Sequence, residues 1–169
     1  VNTYEAGYQT MPAVSALQGA NAGSYVVVWR SDDGQDGSGY GVFGQRYDAR
    51  GAAVGAEFQV SSEGLGNQYE PEVGALANGG FVVVWPSYDQ DSANTWGVYG
   101  QRFDAAGNKV GGEFQVNETT AGSQYQPGVT ALSSGGFVVS FYNDNYDESG
   151  TGTQSDVYIR EYDATGAAV

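Results

Sequence analysis

The sequence repeats itself three times, and this repetition limits the possible folds more than any other feature. The middle copy begins at Gly66 and reads GNQYEPEVGALANGGFVVVWPSYDQDSANTWGVYGQRFDAAGNKVGGEFQV. Three valines mark equivalent places in the copies: Val1, Val60 and Val116. A unit of this size cannot bury its apolar side chains alone, so neighbouring units have to stack. We therefore divide the chain into repeats at 1–59, 60–115 and 116–169, which together form one repeat domain.

Each copy contains four short apolar runs that are separated by Gly, Asn, Asp and Ser. This pattern predicts four antiparallel β-strands per repeat. In the middle copy the predicted strands cover 71–76, 81–85, 97–104 and 113–117. Asn78 and Gly79 join the first two strands, and this dipeptide supplies the positive φ values of a tight hairpin. No copy shows a helical pattern, so we expect an all-β protein.

The second predicted strand is apolar at every position, as in the FVVVW run at 81–85. A strand with one face in water would alternate between apolar and polar residues, so we expect both faces of this strand to be covered. A central strand packed on both sides, beside a more polar outer strand, is typical of a propeller blade. The sequence therefore predicts three four-stranded antiparallel, blade-like repeats of the propeller type.

Three equal units of this kind also fit a β-trefoil or a three-sided β-prism. The repeat length, which is that of large propeller modules, and the clean hairpins favour blades. Propellers close with about four to eight blades, so three cannot form an ordinary ring. Val1 is predicted to lie within a fourth strand, whereas Val169 is equivalent to Val54 and Val110, before that strand begins. We therefore expect an open strand edge, completed by another copy of the chain or by adjoining repeats.

The third predicted strand carries an arginine and an aspartate two residues apart in the first two copies. Residues at this spacing share one face of a strand. The pairs are Arg46 with Asp48 and Arg102 with Asp104. We expect each to form a structural ion pair.

The composition excludes several classes of function. Twenty acidic and six basic residues give a formal charge of −14, which argues against nucleic acid or an anionic membrane as a partner. The chain has no Cys and no His, which excludes thiolate nucleophiles, Ser-His triads, disulfides and the usual zinc sites. Any metal would be held by oxygen, which favours calcium or magnesium. We predict that the protein is not an enzyme.

The apolar runs are too short for a membrane span of about 18 residues or more. No charged segment followed by an apolar one opens the chain, so we expect a mature or excised segment without membrane insertion. The lack of Cys does not fix the compartment, but a secreted eukaryotic domain of this type would more often carry disulfides. We therefore expect a bacterial protein that is secreted or on the cell surface.

The loop between the second and third predicted strands collects acidic residues in each copy. Carboxylates in Gly-rich turns can surround calcium, which takes about six to eight oxygen ligands. The candidate metal ligands are Asp32, Asp33, Asp36, Asp89, Asp91, Asp144 and Asp147. None of these loops has EF-hand spacing, and Asp, Asn, Gly and Ser are common in any exposed turn. Bound calcium and ordinary turn chemistry therefore both remain open.

Aromatic residues are the second candidate for binding. Tyr40 and Trp96 occupy the same place, directly after the acidic loop, and we name these two as candidate ligand-binding residues. Three more tyrosines surround the Gln-Pro segments: Tyr8, Tyr69 and Tyr125. Exposed aromatic rings beside Asp and Asn can stack on a sugar and bind its hydroxyls. The same rings could instead pack neighbouring blades together.

The motifs of the repeat resemble those of a known family. They are GxQxxP, GGFVVVW, an Asp/Gly/Ser loop, VYGQRFDAxG and EFQVN, and they cover essentially the whole chain. This pattern is similar to tandem repeats of large exported bacterial surface proteins, often beside hemolysin-type calcium-binding (RTX) segments. The third copy departs from it, with Phe141 in place of Trp and Arg160-Glu161 in place of Gln-Arg. The resemblance implies a spacer, adhesion or display module.

Three hypotheses for function follow. The first is a structural or adhesive repeat module that assembles with copies of itself. The second is a carbohydrate-binding, lectin-like module, which requires Tyr40 and Trp96 to face outward. The third is a glycan-active enzyme with a pair of carboxylates, for which Glu70, Glu72 and Glu118 are candidates only by residue type.

Overall fold

A computed structural model describes residues 1–32, 34–37, 39–62, 66–144 and 155–169. Within these residues the protein is all-β, apart from one turn of 3-10 helix at Gly19–Asn21. The first four strands are β1 Gln9–Ala16, β2 Tyr25–Ser31, β3 Gly41–Tyr47 and β4 Ala53–Gln59. The second four are β5 Glu72–Ala75, β6 Phe81–Tyr88, β7 Trp96–Phe103 and β8 Lys109–Gln115. The last three are β9 Ser123–Ala131, β10 Phe137–Asp144 and β11 Ser155–Tyr162.

The strands form three separate antiparallel sheets, one for each predicted repeat. Their strand orders are β1-β2-β3-β4, β5-β6-β7-β8 and β9-β10-β11. Every pairing joins strands that are consecutive in the chain, so each sheet is a simple meander. In the third sheet Ala168 forms a single bridge to Tyr162, at the place where a fourth strand begins in the other two. The predicted fold class of antiparallel, blade-like repeats is confirmed.

The fourth strand begins earlier than predicted. β8 starts at Lys109 rather than at 113, and Val60 lies just beyond the end of β4. Gly55 and Gly111, with φ of 75° and 71°, lie within the fourth strand and bend it without ending it. A buried amide holds each bend, because Gln45 and Gln101 donate to the carbonyl groups of the bulged strand. Both are β-bulges, at which the pairing with the third strand shifts register.

The apolar core lies between the sheets. One cluster joins the first and second repeats and includes Val26 and Val28 of β2 with Phe81 and Trp85 of β6. A second cluster joins the second and third repeats, with Val82 and Val84 of β6 among its members. Successive residues of β6 thus point to opposite neighbours, as the period of a strand requires. The prediction that both faces of the second strand are covered is confirmed for this middle repeat.

In the outer repeats only one face of the second strand is fully covered. β10 alternates between buried residues, such as Phe137 and Val139, and half-buried ones, such as Val138 and Ser140. In β2, Val27 is half-buried, whereas its equivalent Val83 in β6 is completely buried. β2 and β10 carry apolar runs similar to that of β6, but among the described residues each has a neighbouring sheet on one side only.

Candidate functional site

The acidic loop of the second repeat is tied to the neighbouring strand by Asp91. Its Oδ2 accepts hydrogen bonds from Gln115 Nε2 and Asn117 Nδ2, each at 2.9 Å. The carboxylate lies so close to Gly97 that a Cβ there would be 2.4 Å from Oδ2. Asp36 lies in the same way against Gly41 in the first repeat, at 2.5 Å. Asp91 therefore holds its loop against a strand, and Asp36 lies at the equivalent place in the first repeat.

The other candidate metal ligands are dispersed. Asp89 is exposed, has a φ of 62°, and accepts a hydrogen bond from the backbone N–H of Asn94. Asp144 is the last residue of β10, and the backbone N–H of Asp32 donates to the Tyr8 carbonyl at 2.9 Å. The two remaining candidates, Asp33 and Asp147, lie outside the described residues.

The described parts of the acidic loops bring no three carboxylates together in a group that could hold a metal ion. Asp91 already accepts two side-chain hydrogen bonds, so its place in the loop is explained by ordinary turn chemistry without a metal ion. Calcium binding stays a prediction. The acidic loops of the first and third repeats also contain Asp33 and Asp147, which lie outside the described residues.

Tyr40 and Trp96 belong to one row of aromatic side chains, which we call the aromatic strip. Its members are Tyr40, Tyr69, Trp96, Tyr125 and Tyr142. The ring centroids of Tyr40 and Tyr69 are 5.0 Å apart, and those of Tyr69 and Trp96 are 5.1 Å apart, both in edge-to-face geometry. All five side chains are half-buried. The strip therefore crosses all three repeats and keeps part of each ring accessible.

Arg30 completes one end of the aromatic strip. Its guanidinium carbon lies 4.4 Å from the ring centroid of Tyr40 and 4.6 Å from that of Tyr69, a cation–π arrangement with two rings. Burial and the neighbouring Tyr40 raise the pKa of the Tyr69 hydroxyl above its ordinary value. Comparison of the three repeats did not reveal Arg30, because the equivalent residues of the other two repeats are Pro86 and Tyr142.

Two tyrosines differ from what the sequence predicted about the aromatic residues. Tyr88 packs on Trp96 at 5.0 Å and was not singled out in the sequence. Tyr8, which was, is exposed and makes no ring contact with the strip among the described residues. Neighbouring loops thus decide which tyrosines join the row.

The first strands of the three repeats meet around a cleft of about 310 Å³. Its wall includes three non-glycine residues with positive φ, each followed by a proline: Met11, Glu70 and Gln126. Glu70 and Glu72 both line this cleft, and burial raises the pKa of Glu72. Glu118 lies elsewhere, paired with Arg160 at 3.0 Å. Two of the three carboxylates named by residue type therefore share one cleft.

The expected pairing of arginine with aspartate within a strand is wrong. Asp104 Oδ1 accepts the backbone N–H groups of Ala106 and Asn108, and so closes its own turn. These bonds, led by those from Asn108, lower the pKa of Asp104. Arg102 reaches instead to the carbonyl groups of the turn in the next repeat. Asp104 lies just beyond the end of β7, and each of the two side chains hydrogen-bonds to backbone groups rather than to the other.

The outward face of β11 is apolar and exposed. Val157 is 79% and Ile159 is 72% exposed, whereas Val98, the equivalent of Val157 in β7, is completely buried. Along the same strand runs a cleft of about 370 Å³ whose lining includes Phe141, Tyr158 and Ile159. Among the described residues β11 is the last strand of its sheet, and beyond the contacts of Ala168 and Val169 with its end at Glu161 and Tyr162 no further strand pairs with it.

The helix content of the described residues is a single 3-10 turn, and no helix among them is long and apolar enough to cross a membrane. No protein-family model matches the chain, and no curated protein is significantly similar to it.

Proposed function

We propose that this chain is a non-catalytic structural or adhesive repeat module of an exported bacterial surface or extracellular protein, and that it assembles through the edge strand β11. The observation that carries the proposal is the exposed apolar face of β11. Val157 and Ile159, at 79% and 72% exposure, form an apolar surface, whereas the equivalents of Val157 in the other repeats, Val42 and Val98, are completely buried. Such a surface, beside unpaired backbone groups, favours pairing with another chain.

The packing between the sheets supports this proposal, because neighbouring sheets bury apolar side chains against each other. The two core clusters each draw residues from two repeats. Stability of such an array depends on contacts between neighbours, so a further repeat or copy adds an interface of the same kind.

Sedimentation velocity over a concentration series tests the proposal. We expect the chain to form larger particles with rising concentration, and Val157→Asp to abolish them because a carboxylate would be buried in the contact. Val110→Asp is the matched control, since Val110 is also exposed, at 39%, but lies in β8 of the middle repeat, away from the outward faces of the first and third repeats. A chain that stays monomeric throughout the series would refute the proposal, as would equal loss of association in both variants.

The aromatic strip favours a carbohydrate-binding module as a second candidate. Half-exposed rings in a continuous row, with Asn67 and Asp89 in adjoining loops, offer stacking surfaces and polar groups together. A glycan array provides the test: the candidate requires a signal that Trp96→Ala removes and Tyr8→Ala, outside the strip, retains. An array without any bound glycan contradicts it. Calcium stabilisation of the acidic loops stays a separate prediction.

A further inference from the structure

The two inner joints between repeats use the same apolar contact. Phe114 of β8 lies over Gly100, where a Cβ would be 2.6 Å from the ring, and it packs on Phe137 and Tyr162 of the third repeat. Phe137 and Tyr162 are stacked on each other with centroids 4.6 Å apart. A phenylalanine of one repeat is therefore held between its own glycine and a stacked aromatic pair of the next.

The joint between the first and second repeats repeats this arrangement. Phe58 lies over Gly44, at 2.8 Å from the position of a Cβ. It packs on the stacked pair of Phe81 and Phe103, at 6.2 Å and 5.3 Å between centroids. The contact is thus a regular feature of how one repeat meets the next.

Each inner joint also contains one arginine. Arg46 donates to the carbonyl groups of Ala105 and Ala106, in the turn between β7 and β8. Arg102 donates in the same way to Ala164 and Thr165, in the turn after β11. In each case the arginine of the third strand donates to carbonyl groups of uncharged residues, in a turn that an aspartate closes: Asp104 in one joint and Asp163 in the other.

The outward face of the third repeat lacks both features. Register places Ile159 at the position of Gly100, and Glu161 at the position of Arg102. An isoleucine occupies the space that a phenylalanine needs over the glycine. A carboxylate cannot donate to turn carbonyl groups. A repeat that joins here in the same manner therefore needs a different apolar side chain in the contact and a positive charge opposite Glu161.

The outward face of the first repeat carries the complementary changes. Its stacked pair is Tyr25 and Tyr47, with centroids 5.0 Å apart, and both rings are half-buried. The turn after β3 has Arg50, which is exposed, at the position of Ala106 and Thr165.

We propose that the third repeat of one copy docks on the first repeat of a second copy, with Ile159 against the Tyr25–Tyr47 pair and Glu161 beside Arg50. The partner is a second copy because the two faces differ from the inner joints in matching ways. Ile159, in β11, supplies the apolar side chain that Phe114 supplies from β8 in the inner joint. Glu161 stands in place of the arginine of the third strand, and Arg50 stands in place of an uncharged turn residue, so opposite charges meet across the contact.

Charge exchange tests this arrangement, which rests on the proposed function. Glu161→Arg and Arg50→Glu each place like charges in contact, and we expect each to weaken association about tenfold or more. The combination of the two restores an opposite pair and should recover most of the loss. Glu5→Arg, at another exposed carboxylate, changes the net charge equally and is the control for Glu161→Arg.

The outcomes separate the two proposals. Association that is abolished by Val157→Asp but is indifferent to both charge reversals, or is not recovered by the double exchange, overturns the docking arrangement and leaves assembly through β11 standing. A chain that never associates overturns both. Far-ultraviolet circular dichroism and the melting temperature of each variant establish that the repeats stay folded, and association that weakens with added salt adds support.

Discussion

The seat of Phe114 over Gly100 predicts a strong coupling between these two residues. Gly100→Ala would place a Cβ 2.6 Å from one ring atom and within 3.1 Å of two more, so the ring has to move. Overpacking of this kind costs about 1–3 kcal/mol, and we take about 2 kcal/mol. Phe114→Ala alone removes a half-buried ring from the second core cluster. Full burial would cost about 3–5 kcal/mol, so we expect about half of that, near 2 kcal/mol.

The double variant distinguishes a steric clash from a general intolerance of alanine. Once the ring is removed, Gly100→Ala has no clash with it and should change the free energy of unfolding by less than about 0.5 kcal/mol. The expected interaction between the two substitutions is therefore about 2 kcal/mol. Guanidinium denaturation followed by tryptophan fluorescence measures all three variants. Gly112→Ala is the matched control, because nothing lies within 4 Å of its added Cβ.

A cost of Gly100→Ala that is the same with and without Phe114 would refute the reasoning. So would a neutral Gly100→Ala in the otherwise unchanged chain. Either result would show that the Phe114 ring can move away from Gly100 at little cost. It would also remove the argument that Ile159 excludes a phenylalanine from the equivalent position. The cycle is therefore a test of the inner joint from which the outer contact is inferred.

Three further outcomes follow from individual side chains. Tyr162→Phe should change the free energy of unfolding by at most about 1 kcal/mol, because the hydroxyl has no hydrogen-bond partner among the described residues. Burial raises the pKa of the Tyr162 hydroxyl to about 12. Spectrophotometric titration of the variant should therefore lack one tyrosine that ionises at high pH in the unchanged chain. Burial opposes the ionised form of Glu57, but hydrogen bonds from Thr3 and Gln35 outweigh it and lower its pKa below 4.5; because the folded value is the lower one, its stabilisation is present above that pH and is lost as the pH falls through the folded pKa. The stability difference between the unchanged chain and Glu57→Gln should accordingly shrink in acid, and a constant difference in denaturation midpoints would contradict this. Asp91→Asn should cost about 1 kcal/mol in denaturation through its weakened bonds to the loop and strand, and no measurable loss would show that the loop is not held by this carboxylate.

The repeats and their hairpins could be predicted because their causes are local. Asn78 and Gly79 specify a turn whatever surrounds them, and the period specifies three similar sheets. The fully apolar run of β6 predicted a neighbour on each face, and the two core clusters confirm it. The start of β8 was predicted too late, because a glycine that ends one strand and a glycine that bends another look alike in sequence.

The candidate site was predicted only in part. Tyr40 and Trp96 do lie in one aromatic row, but Tyr69 joins them and Arg30 lies over one end. Arg30 has no counterpart in the other repeats, so comparison among the copies could not reveal it. Its place follows from which loop lies beside β2 in space.

By itself, the sequence determined the kind of unit, its number and the turns that divide it, because strand period and turn chemistry act over a few neighbouring residues. Only the tertiary structure decided which partner each side chain takes. Arg102 reaches across to another repeat rather than to Asp104 two residues away. Equivalent residues become buried or exposed according to whether a sheet lies beside them, as Val98 and Val157 do. Burial depends on what is packed against a strand, and that contact joins residues distant in the chain.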